Sequence, residues 1–206
     1  MADEVKLANP AVLGLTGFGL TTILLNLHNV GIIKGFDTAI MGLGLFVGGI
    51  AQVIAGIMEF KKGNTFGTTA FLAYGTFWIS LVFAVLASSD KWGWGVLVHK
   101  EGLAWYLLLW GIFTAFMAIG TFKVNRVLQF IFVTLTVLFF LLAICNWAGI
   151  AAGEGLMVVS GIIGLFTGGA ALYLAMAENI NEMYGRTILP IWPAGDKGAY
   201  KSPEDL

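Results

Sequence analysis

Charge is what this chain has least of. Lys and Arg number 11 and Asp and Glu 12 among 206 residues, so 11% of the sequence is charged, against about 25% in a water-soluble domain. With 58% hydrophobic residues and a mean hydropathy of +0.88, a soluble fold is not expected. A formal net charge of -1 gives no basic stripe for nucleic acid, so no such partner is expected. The single cysteine, Cys145, excludes an intrachain disulfide and a multi-cysteine metal site, and it should pack as a small hydrophobe. His28 and His99 lack metal-ligand spacing, so neither metal nor cofactor is expected. Ser160 lacks the glycines of Gly-x-Ser-x-Gly, and no Gly-rich loop ends in Gly-Lys-Ser/Thr. Without such groups an enzyme is the weakest functional class.

What is present is long and apolar. Six runs free of charge cover 7–33, 38–58, 63–89, 102–122, 127–153 and 155–177. A helix needs about 20 residues to cross ~30 Å of hydrocarbon, so each run spans once. The expected fold is an all-α integral membrane bundle of six transmembrane helices at 10–180. A short N-terminal segment (1–9) and a tail (181–206) flank it. The first run is too long for a signal-peptide core, and no cleaved signal is expected. With the N-terminus inside, inner segments carry Lys6, Lys61, Lys62, Lys123, Arg126, Arg186, Lys197 and Lys201, and outer loops only Lys34, Lys91 and Lys100. That bias puts both termini in the cytoplasm. Trp92, Trp94 and Trp105 suit the outer interfacial belt.

Asn9-Pro10 reads as an N-cap followed by proline at the first helical position. Because Pro10 is the only proline in the six runs, any break must come from the 28 glycines. Gly44/Gly48 and Gly164/Gly168, four apart, suit close helix packing within a protomer or between protomers; unwound backbone along a cavity is the sharper alternative. Leu45-Phe46-x-Gly48-Gly49 recurs as Leu165-Phe166-x-Gly168-Gly169, a four-residue match that chance explains. On a helical wheel Phe18, Thr22, Asn26 and Asn29 fall within about 80° of one another. This face suits either a narrow polar path or hydrogen-bonded helix contacts. Gln52, Tyr74, Thr134 and Thr167 are scattered through other spans. His28 lies about 80° from Phe18 on the side away from Asn26, so a hydrogen-bonded neutral histidine is expected there rather than an obligatory proton relay. Glu59 and Glu178 read as inner-end anchors solvated or paired with Lys61, Lys62 or Arg186.

The segment Asn9-Pro10-Ala11-Val12-Leu13-Gly14-Leu15 resembles the Asn-Pro-Ala-Pro-Leu-Gly-Leu signature of the acetate uptake transporter family, also called succinate-acetate permeases. Gly17-Phe18-Gly19, Leu25-Asn26-Leu27-His28-Asn29, Lys62-Gly63-Asn64-Thr65-Phe66-Gly67, Arg126-Val127-Leu128-Gln129-Phe130 and Gly185-Arg186-Thr187-x-Leu189-Pro190 continue it. Val12 replaces the second proline of the signature. The resemblance implies a hexamer in a cell membrane, each subunit with its own pore. It implies passage of acetate and similar small carboxylates, succinate in some members, and a hydrophobic constriction at the positions of Phe18, Tyr74 and Leu135.

With no Lys or Arg inside a run, a permeating carboxylate must meet Asn, Thr or Tyr donors, backbone N–H groups or helix N-termini, or cross as the neutral acid. The residues leave channel and proton-coupled carrier open. The rival class is a non-transporting oligomeric membrane scaffold or sensor.

Overall fold

The computed structural model describes residues 7–35, 37–88 and 99–194. Trp92 and Trp94 of the expected aromatic belt lie outside them. Six helices are long and apolar enough to cross a membrane: α1 (Pro10–Asn29), α2 (Thr38–Lys61), α3 (Thr65–Ala87), α4 (Lys100–Thr121), α5 (Arg126–Ala148) and α6 (Gly155–Tyr184). Among the described residues there is no strand, only an isolated bridge between Asn125 and Pro193. Large apolar side chains cover the outside as well as the core: Phe46, Phe60, Phe116 and Phe166 are all more than half exposed. Such a surface suits hydrocarbon and is unsuited to water.

Local sequence sets the helix starts. Asn9 caps α1, accepting from the Ala11 N–H at 3.2 Å, with Pro10 following it as expected. Asn64 accepts from Gly67 N–H at 3.0 Å to cap α3, and Asn125 from Leu128 N–H at 2.7 Å to cap α5. Each asparagine oxygen satisfies an N–H that the first turn leaves without a partner. Asp37 caps α2 in the same way. In α2 the stretch Leu43–Ala51 is wound as π-helix, which the sequence did not announce. Gly44, Gly48 and Gly49 remove the side chains that would resist the wider turn, and the Thr21 hydroxyl, which donates to the Gly17 carbonyl at 2.8 Å, also reaches the Leu43 carbonyl at 3.4 Å.

The bundle is organised round α1, which packs against α2 and α6 and more lightly against α3. Its glycines set the fit. A Cβ on Gly17 would stand 2.5 Å from the Val47 carbonyl oxygen of α2; one on Gly19 would stand 2.9 Å from Gly168 O and Leu172 N of α6; one on Gly14 would meet the Phe71 ring of α3 at 2.5 Å. Gly48 faces Thr21, Gly44 faces Val82, Gly164 faces Asn26 and Gly168 faces Ile23. The small-residue pairs therefore close seams within the chain. Gly48 and Gly168, the matching glycines of the repeated motif, seat on opposite sides of α1. Between α3 and α4 the backbones stay apart and aromatic rings fill the space: Phe77 stacks on Tyr106 at 5.7 Å and meets Trp110 at 5.2 Å.

After the last crossing α6 continues to Tyr184, and Gly185 caps it in the left-handed conformation. The following segment folds back over the bundle. Asn181 accepts from Ile188 and Leu189 N–H and donates to the Leu189 carbonyl; Arg126 N–H donates to Trp192 O at 2.8 Å.

Candidate functional site

A cavity of about 800 Å³ enters the bundle from the end where α1, α3 and α5 begin. Its mouth is lined by Asn9, Lys62, Asn64, Lys123, Asn125 and the returning Ile191 and Pro193. The three asparagine caps thus stand at one opening. Three helix N-termini, each equivalent to about half a positive charge, converge there with two lysines. The C-terminal ends of α2 and α4 lie at the same opening and Glu178 joins the lining, so charges of both signs meet there; the helix N-termini and the two lysines are the groups that can receive an anion.

Deeper in, the lining turns apolar through Leu15, Phe71, Leu128, Ile131 and Phe132. Farthest along α1, α3 and α5 among the lining residues are Phe18, Tyr74 and Leu135. Each lies eight to ten residues into its helix, or about 12–15 Å at 1.5 Å per residue, close to half of a ~30 Å hydrocarbon layer. The Phe18 and Tyr74 ring centroids are 5.8 Å apart, and Tyr74 also meets Phe113 at 5.8 Å and Phe132 at 6.0 Å. The structure thus brings the three named residues to one level at the end of one cavity.

The Tyr74 hydroxyl is engaged by α4. It lies 2.9 Å from Thr114 Oγ1, whose own proton goes to the Trp110 carbonyl at 2.7 Å. Tyr74 is therefore the donor and Thr114 the acceptor. Gln52, one of the polar residues scattered through the spans, stands at this level. It lines the cavity nine residues from the end of α2, level with Phe18 and Tyr74, and it is 1% exposed. Its Oε1 has no hydrogen-bond partner among the described residues, a situation that costs about 1–3 kcal/mol unless a partner is supplied.

Thr22, Asn26 and Asn29 are buried in α1 but are not among the residues lining the cavity. Asn29 donates to Asn26 Oδ1 at 2.9 Å, and Asn26 donates to the Thr22 carbonyl at 2.8 Å while packing on Gly164. Their amides are thus engaged within α1, at its seam with α6. The Thr22 hydroxyl, one turn beyond Phe18, has no partner among the described residues. His28 Nδ1 lies 3.1 Å from the Ile33 carbonyl just past the end of α1, in keeping with a hydrogen-bonded histidine. Cys145 is buried 3.8 Å from Ser160, whose hydroxyl donates to Leu156 O.

The signature residues have structural work of their own. Asn9 caps α1 with its oxygen and donates through Nδ2 to Glu178 Oε2 of α6 at 2.9 Å. Glu59 in turn accepts from Asn64 at 2.8 Å. The hydrogen-bond partners of these two acids are capping asparagines instead of the expected lysines or arginine, because the caps bring their spare N–H groups to the ends of α2 and α6. Asn9→Ala removes a cap and a bond to a carboxylate together, and should lower stability by about 1–3 kcal/mol, read as a lower melting temperature in detergent. A melting temperature equal to the wild-type value would refute that account of the signature.

An all-helical bundle with six helices able to span a membrane, holding a half-depth cavity with a polar mouth and a hydrophobic end, defines a membrane transport protein of the channel or carrier type. The sequence profile of the GPR1/FUN34/yaaH family matches residues 1–193, and the chain belongs to that family. It is 57% identical over 188 residues to the succinate-acetate/proton symporter SatP of Escherichia coli K12, covering 91% of this chain and 97% of the relative. Acetate permease A of Emericella nidulans is 31% identical over 199 residues, covering 90% of this chain and 66% of the relative. A solved structure of the bacterial acetate channel SatP superimposes with a TM-score of 0.85 at 57% identity, covering 90% of this chain and 99% of that one. The relatives are transporters and channels, not enzymes.

Proposed function

We propose that this protein is a multi-pass transporter or channel of the plasma or inner membrane that passes acetate and similar small carboxylates, succinate among them, through a pore in each protomer. The observation that carries this reading is the cavity itself: helix N-termini and lysines gather an anion at the mouth, and the path narrows at Phe18, Tyr74 and Leu135. Hydrophobic narrowings gate by excluding water, so this constriction holds back hydrated ions. Beyond it we place the path past Thr22, whose hydroxyl is unengaged; Asn26 and Asn29 stand further along the same α1 face, and passage there requires the α1–α6 seam in which their amides are now bonded to part. We place the mouth on the cytoplasmic side, which the lysine distribution assigns to both termini; the Asn9–Glu178 bond ties the first and last helices together at that face.

Purified protein in liposomes should take up labelled acetate well above protein-free vesicles, at several pH values and with or without a proton gradient. Dependence of accumulation on the gradient assigns proton coupling, and equal flux in its absence assigns a channel. No uptake under any condition would leave the non-transporting scaffold as the better reading.

The assembly we propose is the hexamer that the family resemblance implies, with subunits meeting through the apolar outer faces because the small-residue seams are used internally. Light scattering in detergent, with the micelle mass subtracted, should give about six times 22.1 kDa. A monomer mass overturns it.

A further inference from the structure

We infer that Gln52 is a specificity-determining residue at the constriction, where its side-chain amide pairs edge to edge with the permeating carboxyl group in its protonated, uncharged form. This rests on the proposed carboxylate pathway and adds which protonation state the narrowest point receives.

Three observations converge on this residue. Gln52 lines the cavity at the depth of Phe18, Tyr74 and Leu135. It sits where the π-wound stretch of α2 returns to α-helix, a kind of irregularity that recurs at functional sites. It is buried, and its oxygen has no partner among the described residues. The other polar lining groups are otherwise placed. Tyr74 donates to Thr114, Glu178 is bonded to Asn9, and Lys62 and Lys123 lie at the mouth. At the level of the constriction, the amide is the uncommitted hydrogen-bonding group among the described residues.

A primary amide presents one donor and one acceptor along a single edge. A protonated carboxyl presents the complement, so the amide N–H donates to the acid carbonyl while the acid O–H donates to Oε1. Both groups are then satisfied without water. An ionised carboxylate offers only acceptors. It takes the N–H and leaves Oε1 both unpaired and beside a negative oxygen, in an apolar ring where an unpaired charge is costly. The terminal torsion of a glutamine is broad, so the edge can turn to meet a ligand. The anion gathered at the mouth takes a proton from bulk water, in the fraction that the pH sets, and this neutral acid enters the ring.

Acetamide separates this from other arrangements, because it has the shape and the donor–acceptor edge of acetic acid and is uncharged at every working pH. In proteoliposomes assayed for labelled acetate flux at fixed pH, acetamide should inhibit the wild-type protein. Inhibition should be roughly tenfold weaker in Gln52→Leu, corresponding to the loss of one or two neutral hydrogen bonds. Gln52→Met is the second variant should leucine not yield folded protein, and melting temperature and oligomer mass are checked for both. Wild-type flux that acetamide does not touch, or equal inhibition of wild type and folded variants, overturns the role of Gln52 while leaving acetate transport standing. Absence of acetate flux in the wild type instead removes the pathway on which the inference rests.

Discussion

Gly17→Ala is expected to lower stability by about 3 kcal/mol or more, while Gly169→Ala and Gly42→Ala leave the protein as stable as wild type or slightly more so. The difference lies in what one methyl group meets. At Gly169 and Gly42 a Cβ would find no atom within 4 Å, whereas at Gly17 it would lie 2.5 Å from the Val47 carbonyl oxygen. A carbon and an oxygen sit at about 3.3–3.6 Å even in favourable C–H···O contacts, so α1 and α2 would have to part by about an ångström. No side chain can rotate away, because both partners are backbone. Nor can α1 simply retreat, for on its other side a Cβ at Gly19 would already stand 2.9 Å from Gly168 O and Leu172 N, so that seam has no slack to give. The change therefore strains both seams of the central helix. Thermal melts and monodisperse yield in detergent, compared across the three variants, check it. A Gly17→Ala protein that melts with wild type would show that α1 is not held in this wedge.

The number and limits of the spans were legible because hydrocarbon imposes a length on every crossing, and charges mark the breaks: each charge-free run contains most of one helix. Asn9-Pro10 was legible for a local reason, a cap whose partners lie two residues away. Asn64 and Asn125 carry the same signal, and reading them as caps would have placed three helix starts on one side and exposed the mouth of the cavity. Which glycines face which helix was beyond periodicity. Gly44/Gly48 has the same spacing whether it meets Thr21 of its own chain or a second subunit, and only the tertiary arrangement decides. The π-wound stretch was hidden for a related reason, since glycine permits several windings and selects none. Phe18, Tyr74 and Leu135 entered through family resemblance, and their common level in the bundle follows from helix lengths. Gln52 was visible as a polar residue in a span, but its depth depends on α2 running opposite to α1, α3 and α5. The Tyr74 hydroxyl illustrates the limit most clearly. The sequence leaves Tyr hydroxyls among the possible donors to a carboxylate, whereas in the structure this one donates its hydrogen bond to Thr114, forty residues away on α4.

That pairing changes what the constriction variants should do. Phe18→Ala and Leu135→Ala remove bulk from the deepest lining level, so the limit on substrate size should relax. The ratio of acetate flux to that of larger carboxylates should fall roughly tenfold or more, the scale on which an apolar site discriminates by a methylene or so. Tyr74→Phe keeps the ring against Phe18, Phe113 and Phe132 and should keep the size limit. Because its hydroxyl donates to Thr114 and not into the path, the cost falls on stability, about 0.5–1.5 kcal/mol for one hydrogen bond, and acetate flux should stay within a few-fold of wild type. Melting temperature and flux ratio measured on the same preparations separate the roles. If the alanine variants lose melting temperature with an unchanged ratio, Phe18 and Leu135 are core residues and the constriction lies elsewhere. If Tyr74→Phe abolishes acetate flux while melting normally, the hydroxyl must turn from Thr114 to the substrate during passage, and Gln52 is then not alone in meeting the carboxyl group at the narrowest point.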